Sequence, residues 1–312
     1  MLFPLMLILA GIAGLYWGGE VLVTNAKRLA HHFGMSPMAI GLTVVAFATS
    51  APELAAAITA NLKGAQDLAV GNAVGSNIAN VGLILGMTAL FFVLPAAPRF
   101  IKRELAFMVV VTIMLYPVLL TGSVIGRLEG LGLFGLLVLF LWRLLVDPDH
   151  QQEYAEEAIE DVPLWRSGLG VFAGILLLVG GANMLVIGAS DIAQQLGISE
   201  RIIGLTLVAI GTSLPELAAS LVAGRRGEVD MVMGNVVGSN IFNLLCILGI
   251  TALIEPLAVA PGILQVDYWM MFGTSALLVV FLLTTRKLTR LEGAVLLLLY
   301  IGYTVFLFVG NA

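Results

Sequence analysis

The sequence predicts an all-α integral membrane protein with ten transmembrane helices in two inverted five-helix repeats. Three observations predict it: a composition too apolar for water, ten apolar runs of spanning length, and a self-match between the two halves. The 312 residues are 60% hydrophobic and 11% charged, with mean hydropathy +1.04, whereas soluble domains carry about 25% charged residues. The net charge of −5 decides little, because the acidic stretch 147–163 alone accounts for it. No sizeable basic patch exists, so nucleic acid is excluded as a partner, and the lipid bilayer is the expected surroundings.

Runs able to cross ~30 Å of hydrocarbon need about 20 residues each. They fall at 3–27, 37–61, 69–93, 104–121, 126–146, 166–189, 201–223, 231–254, 267–285 and 291–310. They are too long and continuous for barrel strands, and a lipid-spanning chain must otherwise be helical to satisfy its own backbone. The N-terminal run has no positive leader, so it reads as a retained first span. Residues 1–146 form the first five-helix repeat, 147–163 an acidic cytoplasmic linker, and 164–312 the second repeat. Lone Cys246 sits in an apolar run as a small core residue.

Lysine and arginine placement sets the orientation. Lys27, Arg28, Arg99, Lys102, Arg103, Arg143, Arg166, Arg225, Arg226, Arg286, Lys287 and Arg290 share one face, and Lys63, Arg127 and Arg201 the other. The richer face is cytoplasmic by the positive-inside rule. Both termini are then outside or periplasmic, and the localisation is the cell inner (plasma) membrane.

A shift of 163 positions lays 41–90 over 204–253 without a gap, and about 29 of 50 positions are identical, far above chance for a repeat. Five crossings per half flip the second copy, which makes the repeat inverted. Such repeats place a transport site at their interface.

The repeated stretches "AFATSAPEL" (46–54) and "AIGTSLPEL" (209–217) each put a proline and a glutamate into an apolar segment. Pro52 removes the helical donor for the Ala48 carbonyl, and Pro215 that for Gly211. Carbonyls near Ala46 and Ala209 are freed to meet another partner, and a cation is one. Ala46, Ser50 and Glu53 share one helix face with Thr49 beside it, and Ala209, Ser213, Glu216 and Thr212 repeat the arrangement. The following spans add Ser76 with Asn80 and Ser239 with Asn243 at i, i+4. Gly71, Gly75, Gly234 and Gly238 are expected at close helix crossings. All the donors are hard oxygens, which favours Ca²⁺ and Na⁺ over zinc or copper. An ionised glutamate at the bilayer centre costs about 2.5 kcal/mol or more, and no lysine or arginine lies near either one in sequence, so a cation or a proton must neutralise it.

These motifs, "GLTVVAFATSAPEL" with "GNAVGSNIAN" and "GLTLVAIGTSLPEL" with "GNVVGSNIFN", resemble the two α-repeats of the calcium/cation antiporter superfamily. The likeness covers essentially the whole chain. It is closest to short prokaryotic sodium/calcium exchangers, akin to the K⁺-dependent Na⁺/Ca²⁺ exchangers but without a large cytoplasmic domain. The resemblance implies alternating access, with the first span of each half sliding across the site-bearing core. It implies that Glu53 and Glu216 are central ligands shared by Ca²⁺ and Na⁺. Thr49, Ser50, Thr212 and Ser213 would then give hydroxyl or backbone oxygens, Ala46 and Ala209 backbone carbonyls, and Ser76, Asn80 and Ser239 would complete the Na⁺ sites. Some members carry aspartate where this chain has Asn243, so the third central carboxyl is absent here.

The expectation is therefore a secondary active antiporter exchanging Ca²⁺ for Na⁺, with Ca²⁺/H⁺ exchange by the same glutamates as the alternative and a cation channel behind it. H⁺ or K⁺ coupling stays open. No cofactor, catalytic residue or obligatory protein partner is indicated, and no nucleophile–base set marks an enzyme. Glu20, with repeat partner Asn183, is a candidate proton or gating site, and Asp67 and Asp230 are expected to cap helices.

Overall fold

A chain that must satisfy its own backbone in lipid folds as helices, and helices account for most of the described residues. The computed structural model describes residues 2–120, 124–147, 162–197, 207 and 209–310. Ten helices are labelled in chain order: α1 (Leu2–Phe33), α2 (Pro37–Leu62), α3 (Gln66–Phe91), α4 (Pro98–Leu120), α5 (Arg127–Val146), α6 (Leu164–Gln195), α7 (Leu214–Arg225), α8 (Val229–Ile254), α9 (Ile263–Thr285) and α10 (Arg290–Gly310). Among the described residues, nine of these, all but α7, are long and apolar enough to cross a membrane. The predicted span 201–223 falls partly outside the described residues. Its described part is a short turn, Ala209–Gly211, followed by α7.

The predicted boundaries are shortest where the real helices leave the apolar zone. α1 runs on to Phe33 through Lys27, Arg28, His31 and His32. Hydropathy stops at the first charge, whereas backbone hydrogen bonding does not.

α8, α3 and α2 form the centre. The apolar window of α8 is 83% buried, against 11% for α10. The motif-bearing helices are thus the ones withdrawn from lipid. α2 crosses α8 closely: a Cβ at Gly234 would lie 2.5 Å from the Met38 carbonyl oxygen, and one at Gly238 would lie 2.8 Å from Leu42 Cα. Gly71 and Gly75 behave differently from the expectation. Nothing lies within 4 Å of a Cβ at either, because both line an open cavity. α1 and α6, the first helices of the two halves, pack together along their lengths.

π-helical turns interrupt α2 (Gly41–Val45), α3 (Asn80–Leu85), α4 (Ile101–Leu105), α8 (Asn243–Ile247) and α9 (Ile263–Asp267). Such turns re-aim side chains and backbone groups inside a helix. Those of α3 and α8 begin at Asn80 and Asn243, equivalent positions of the repeat.

The prolines act unequally. α2 stays helical through Pro52, so the expected interruption does not end that helix. In the second half the chain turns at Thr212 and Ser213, and Pro215 sits in the first turn of α7. A proline removes one hydrogen bond and kinks a helix, and a flanking helix breaker decides whether it ends. Gly211 is such a breaker, whereas its partner Ala48 favours helix.

Among the described residues, four two-residue strands close the loops: β1 (Leu94–Pro95), β2 (Val124–Ile125), β3 (Leu257–Ala258) and β4 (Lys287–Leu288). β1 pairs with β4 and β2 with β3, both antiparallel. A shift of 163 turns β1 into β3 and β2 into β4, so each pair joins one half to the other.

Asp67 and Asp230 do not cap. Each is the second residue of its helix, the cap positions are Ala65 and Glu228, and neither helix has a side-chain cap bond. The carboxylates stand in the first turn, beside the unpaired N–H groups but bonded to none as a cap, and keep the favourable helix-dipole position. Of the acidic stretch, Asp147 is held by Arg99 and Arg103, and residues 148–161 lie outside the described ones. Cys246 is buried, as expected.

Candidate cation-binding site

The two predicted carboxylates meet. Glu53 on α2 is 1% exposed and Glu216 on α7 is 2% exposed. The Glu216 carboxylate faces the charge of Glu53 and the hydroxyls of Thr49 and Ser50. Each glutamate follows its proline directly, within α2 for Pro52 and in the first turn of α7 for Pro215.

The remaining predicted residues are mostly withdrawn from the surface as well. Ala46, Thr49, Ser50, Ser76, Asn80, Ser213, Ser239 and Asn243 are all buried, and Thr212 is half-buried. Thr49 Oγ1 turns back to the Val45 carbonyl at 3.1 Å and the Ala46 carbonyl at 3.4 Å, and it reaches Asn235 Oδ1 at 3.3 Å. Ser76, Thr212 and Ser213 line one cavity of about 520 Å³. That cavity opens past Asp67, Asp267, Tyr300 and Tyr303, where the Tyr303 hydroxyl donates to Asp267 Oδ1 at 2.6 Å. Ala209 lies in the short turn ahead of α7, and its side chain falls outside the described residues.

Four asparagines that reasoning on the sequence passed over bond to predicted site residues. Asn80 Nδ2 donates to Asn240 Oδ1 at 3.0 Å, and Asn243 Nδ2 donates to Asn77 Oδ1 at 2.9 Å. The 163-residue shift converts one bond into the other. Asn77 Nδ2 also donates to the Asn240 carbonyl at 3.2 Å. Asn72 Nδ2 donates to the Glu53 carbonyl at 3.5 Å, and Asn235 Nδ2 to Ser220 Oγ at 3.3 Å. The signal was present, since all four stand at identical positions of the two "GN-x-V-G-S-N-I-x-N" motifs.

The donor chemistry fits a hard cation. Glu53 Oε2, Glu216 Oε2, Ser50 Oγ, Ser239 Oγ and Asn243 Oδ1 are buried and complete no hydrogen bond within the protein. Buried polar atoms are normally satisfied, and a cluster of orphaned acceptors is costly unless a cation or water meets it. Asn243 illustrates the geometry: its amide nitrogen is committed to Asn77, which fixes its oxygen as the free acceptor. Among the described residues no group of three or more His, Cys, Asp and Glu side chains forms a metal cluster, so a bound ion here would draw on two carboxylates together with hydroxyl, amide and carbonyl oxygens. Glu20 lies elsewhere, paired with Arg225 and Arg226.

Comparison with known proteins agrees with this chemistry. The family model for the sodium/calcium exchanger protein matches residues 3–146 and 167–309. The putative antiporter CaxA of Alkalimonas amylolytica is 41% identical, over 99% of this chain and 99% of its own. The sodium/calcium exchanger MaX1 of Methanosarcina acetivorans is 34% identical, over 97% of this chain and 98% of its own. Among solved structures, the sodium-calcium exchanger NCX_Mj soaked with zero Na⁺ and Ca²⁺ superposes with a TM-score of 0.85 at 30% identity, covering 98% of this chain and 99% of that one. The fold is therefore that of a membrane-embedded cation antiporter, and the chain belongs to the sodium/calcium exchanger family.

Proposed function

We propose that the chain exchanges Ca²⁺ for Na⁺ by alternating access, with Glu53 and Glu216 as central ligands near the bilayer midplane. The observation that carries this is the meeting of two buried carboxylates, one from each half, each with an oxygen that no protein donor meets. Two carboxylates balance one Ca²⁺ or two Na⁺. An occupied site is neutral enough to be closed off from water, whereas an empty one resists closure, and that difference enforces exchange over leak. Thr49, Ser50, Thr212 and Ser213 supply further oxygens, with the Ala46 and Ala209 carbonyls, and Ser76, Asn80, Ser239 and Asn243 complete the cation sites. Asn72, Asn77, Asn235 and Asn240 position them.

Ten crossings in two inverted halves, 1–146 and 164–312, are supported by parity. β1 lies between α3 and α4, and β4 between α9 and α10. Paired strands share one membrane face, so the chain between them crosses an even number of times. α4, α5, α6, α8 and α9 make five, and the segment containing α7 supplies the sixth. With the positive-inside count, both termini then face outward from the inner membrane. The names of the relatives speak for Na⁺ as the counter-ion, and nothing favours a proton.

The test is Ca²⁺ uptake into Na⁺-loaded proteoliposomes with the pH gradient clamped at zero. Uptake should follow the outward Na⁺ gradient. Uptake that ignores Na⁺ and tracks an imposed proton gradient would overturn the assignment.

A further inference from the structure

The site is built almost twice over by the repeat, but one charged cluster is built once. Glu20, two-thirds along α1, is 9% exposed. Its two carboxylate oxygens accept from Arg225 and Arg226 at the end of α7. Arg226 also donates to Thr24 Oγ1 at 2.6 Å, and Lys27 pairs with Glu228 at 2.7 Å. Arg225 lies over the Tyr16 ring, 5.3 Å from its centroid. These are charge-assisted contacts, the stronger class of hydrogen bond, and they tie α1 to the α7–α8 corner.

Only Arg226 has a charged equivalent in the other half, Lys63, and no acidic residue stands there to pair with it. The positions of Glu20, Thr24 and Lys27 are taken there by Asn183, Ile187 and Ser190, and those of Arg225, Arg226 and Glu228 by Leu62, Lys63 and Ala65. Asn183 is exposed, as are Leu62 and Lys63. The cavity mouth lies on that unlatched side, where Ala60, Asp67 and Leu68 line the opening. α2 runs from the latched end of α1 across to it.

We propose that Glu20, gripped by Arg225 and Arg226, is a positioning residue that latches α1 to α7 on the face opposite the cavity. The latch biases the exchanger toward the state in which that cavity is open. The proposal rests on the alternating-access reading above. A symmetric pair of halves would favour neither orientation, and a contact made in only one of two states shifts the population toward it. Closing the cavity and opening the opposite face requires α1 to leave the α7 end, which breaks this cluster and gains no matching one.

Two reporters read the bias without any ion flux. Ala60 lines the open cavity, and its repeat partner Ala223 is buried on the latched side. In a Cys246→Ala background, Ala60→Cys and Ala223→Cys are each labelled with a membrane-impermeant maleimide applied to the face they report. Glu20→Gln should slow labelling at 60 several-fold and speed it at 223 by a similar factor. Arg225→Gln with Arg226→Gln should do the same, and Glu20→Asp should stay near wild type. Labelling that rises at both positions would indicate loosening rather than latching and overturn the proposal, as would unchanged labelling at both. Loss of Na⁺-driven Ca²⁺ uptake in the wild-type protein would instead strike the exchange reading, so the two failures are distinguishable.

Discussion

Glu53 and Glu216 illustrate what one residue does in this membrane. Each is buried, and each keeps one carboxylate oxygen without a protein partner, an arrangement a packing role would not select. Replacing either by glutamine keeps the shape and removes the charge. Glu53→Gln or Glu216→Gln should lower Ca²⁺ flux by about a hundredfold or more, the scale set by losing roughly 3 kcal/mol at one partner of a buried charge interaction. The protein should still elute as a folded species, so flux and size-exclusion profile together give the check. Near-normal flux in either variant would remove that glutamate from the mechanism. The asparagines act differently. Asn240→Ala leaves the Asn80 amide buried without its acceptor, which costs about 1–3 kcal/mol and should appear as a lowered melting temperature as well as weakened Na⁺ dependence. The carboxylates were legible in the sequence because a charge inside an apolar run has few explanations. The asparagine pairs were not, because an amide on a helix face has many partners open to it, and only the folded halves show Asn77 reaching Asn243.

The glycines separate two jobs at the scale of the helix. Gly234 and Gly238 let α8 meet α2, whereas Gly71 and Gly75 leave the cavity wall open. Gly238→Val should destabilise the fold by about 1–3 kcal/mol through overpacking, read as a fall in melting temperature. Gly75→Ala should leave the melting temperature near wild type and slow transport by narrowing the cavity. The sequence motif "GNAVGSN" matches "GNVVGSN" at all four glycines and so does not reveal this division. It comes from which side of each helix faces a neighbour. The prolines teach the same lesson. Pro52 and Pro215 share a motif, yet α2 continues and α7 begins anew, because a proline's effect depends on the residue four positions back as much as on the ring. The helix ends were misjudged for a third reason: α1 and α6 each extend to 32 residues, and apolarity marks where lipid ends, not where the helix does.

The whole molecule is two similar halves knitted by reciprocal contacts: β1 with β4, β2 with β3, Asn80 with Asn240, Asn243 with Asn77. The membrane class, the duplication and the pairing of Glu53 with Glu216 were readable from composition and self-similarity. The crossing of α1 with α6 was not, since both are mainly apolar and their contact depends on shape. The parity of crossings gives a topological prediction. Cysteines placed at Pro95 and Lys287, neighbours in the β1–β4 pair, should be modified by an impermeant reagent from the same side of the membrane and should cross-link on oxidation. Modification from opposite sides would contradict ten crossings.

The central claim is that two opposed carboxylates, one from each half, hold the transported cations. Equilibrium Ca²⁺ binding to the purified protein tests it most directly, with Na⁺ titrated against the bound ion and the Glu53→Gln and Glu216→Gln variants measured alongside. The account predicts saturable Ca²⁺ binding that Na⁺ displaces and that either substitution abolishes. Binding retained at wild-type strength in either variant, or indifferent to Na⁺, would contradict it.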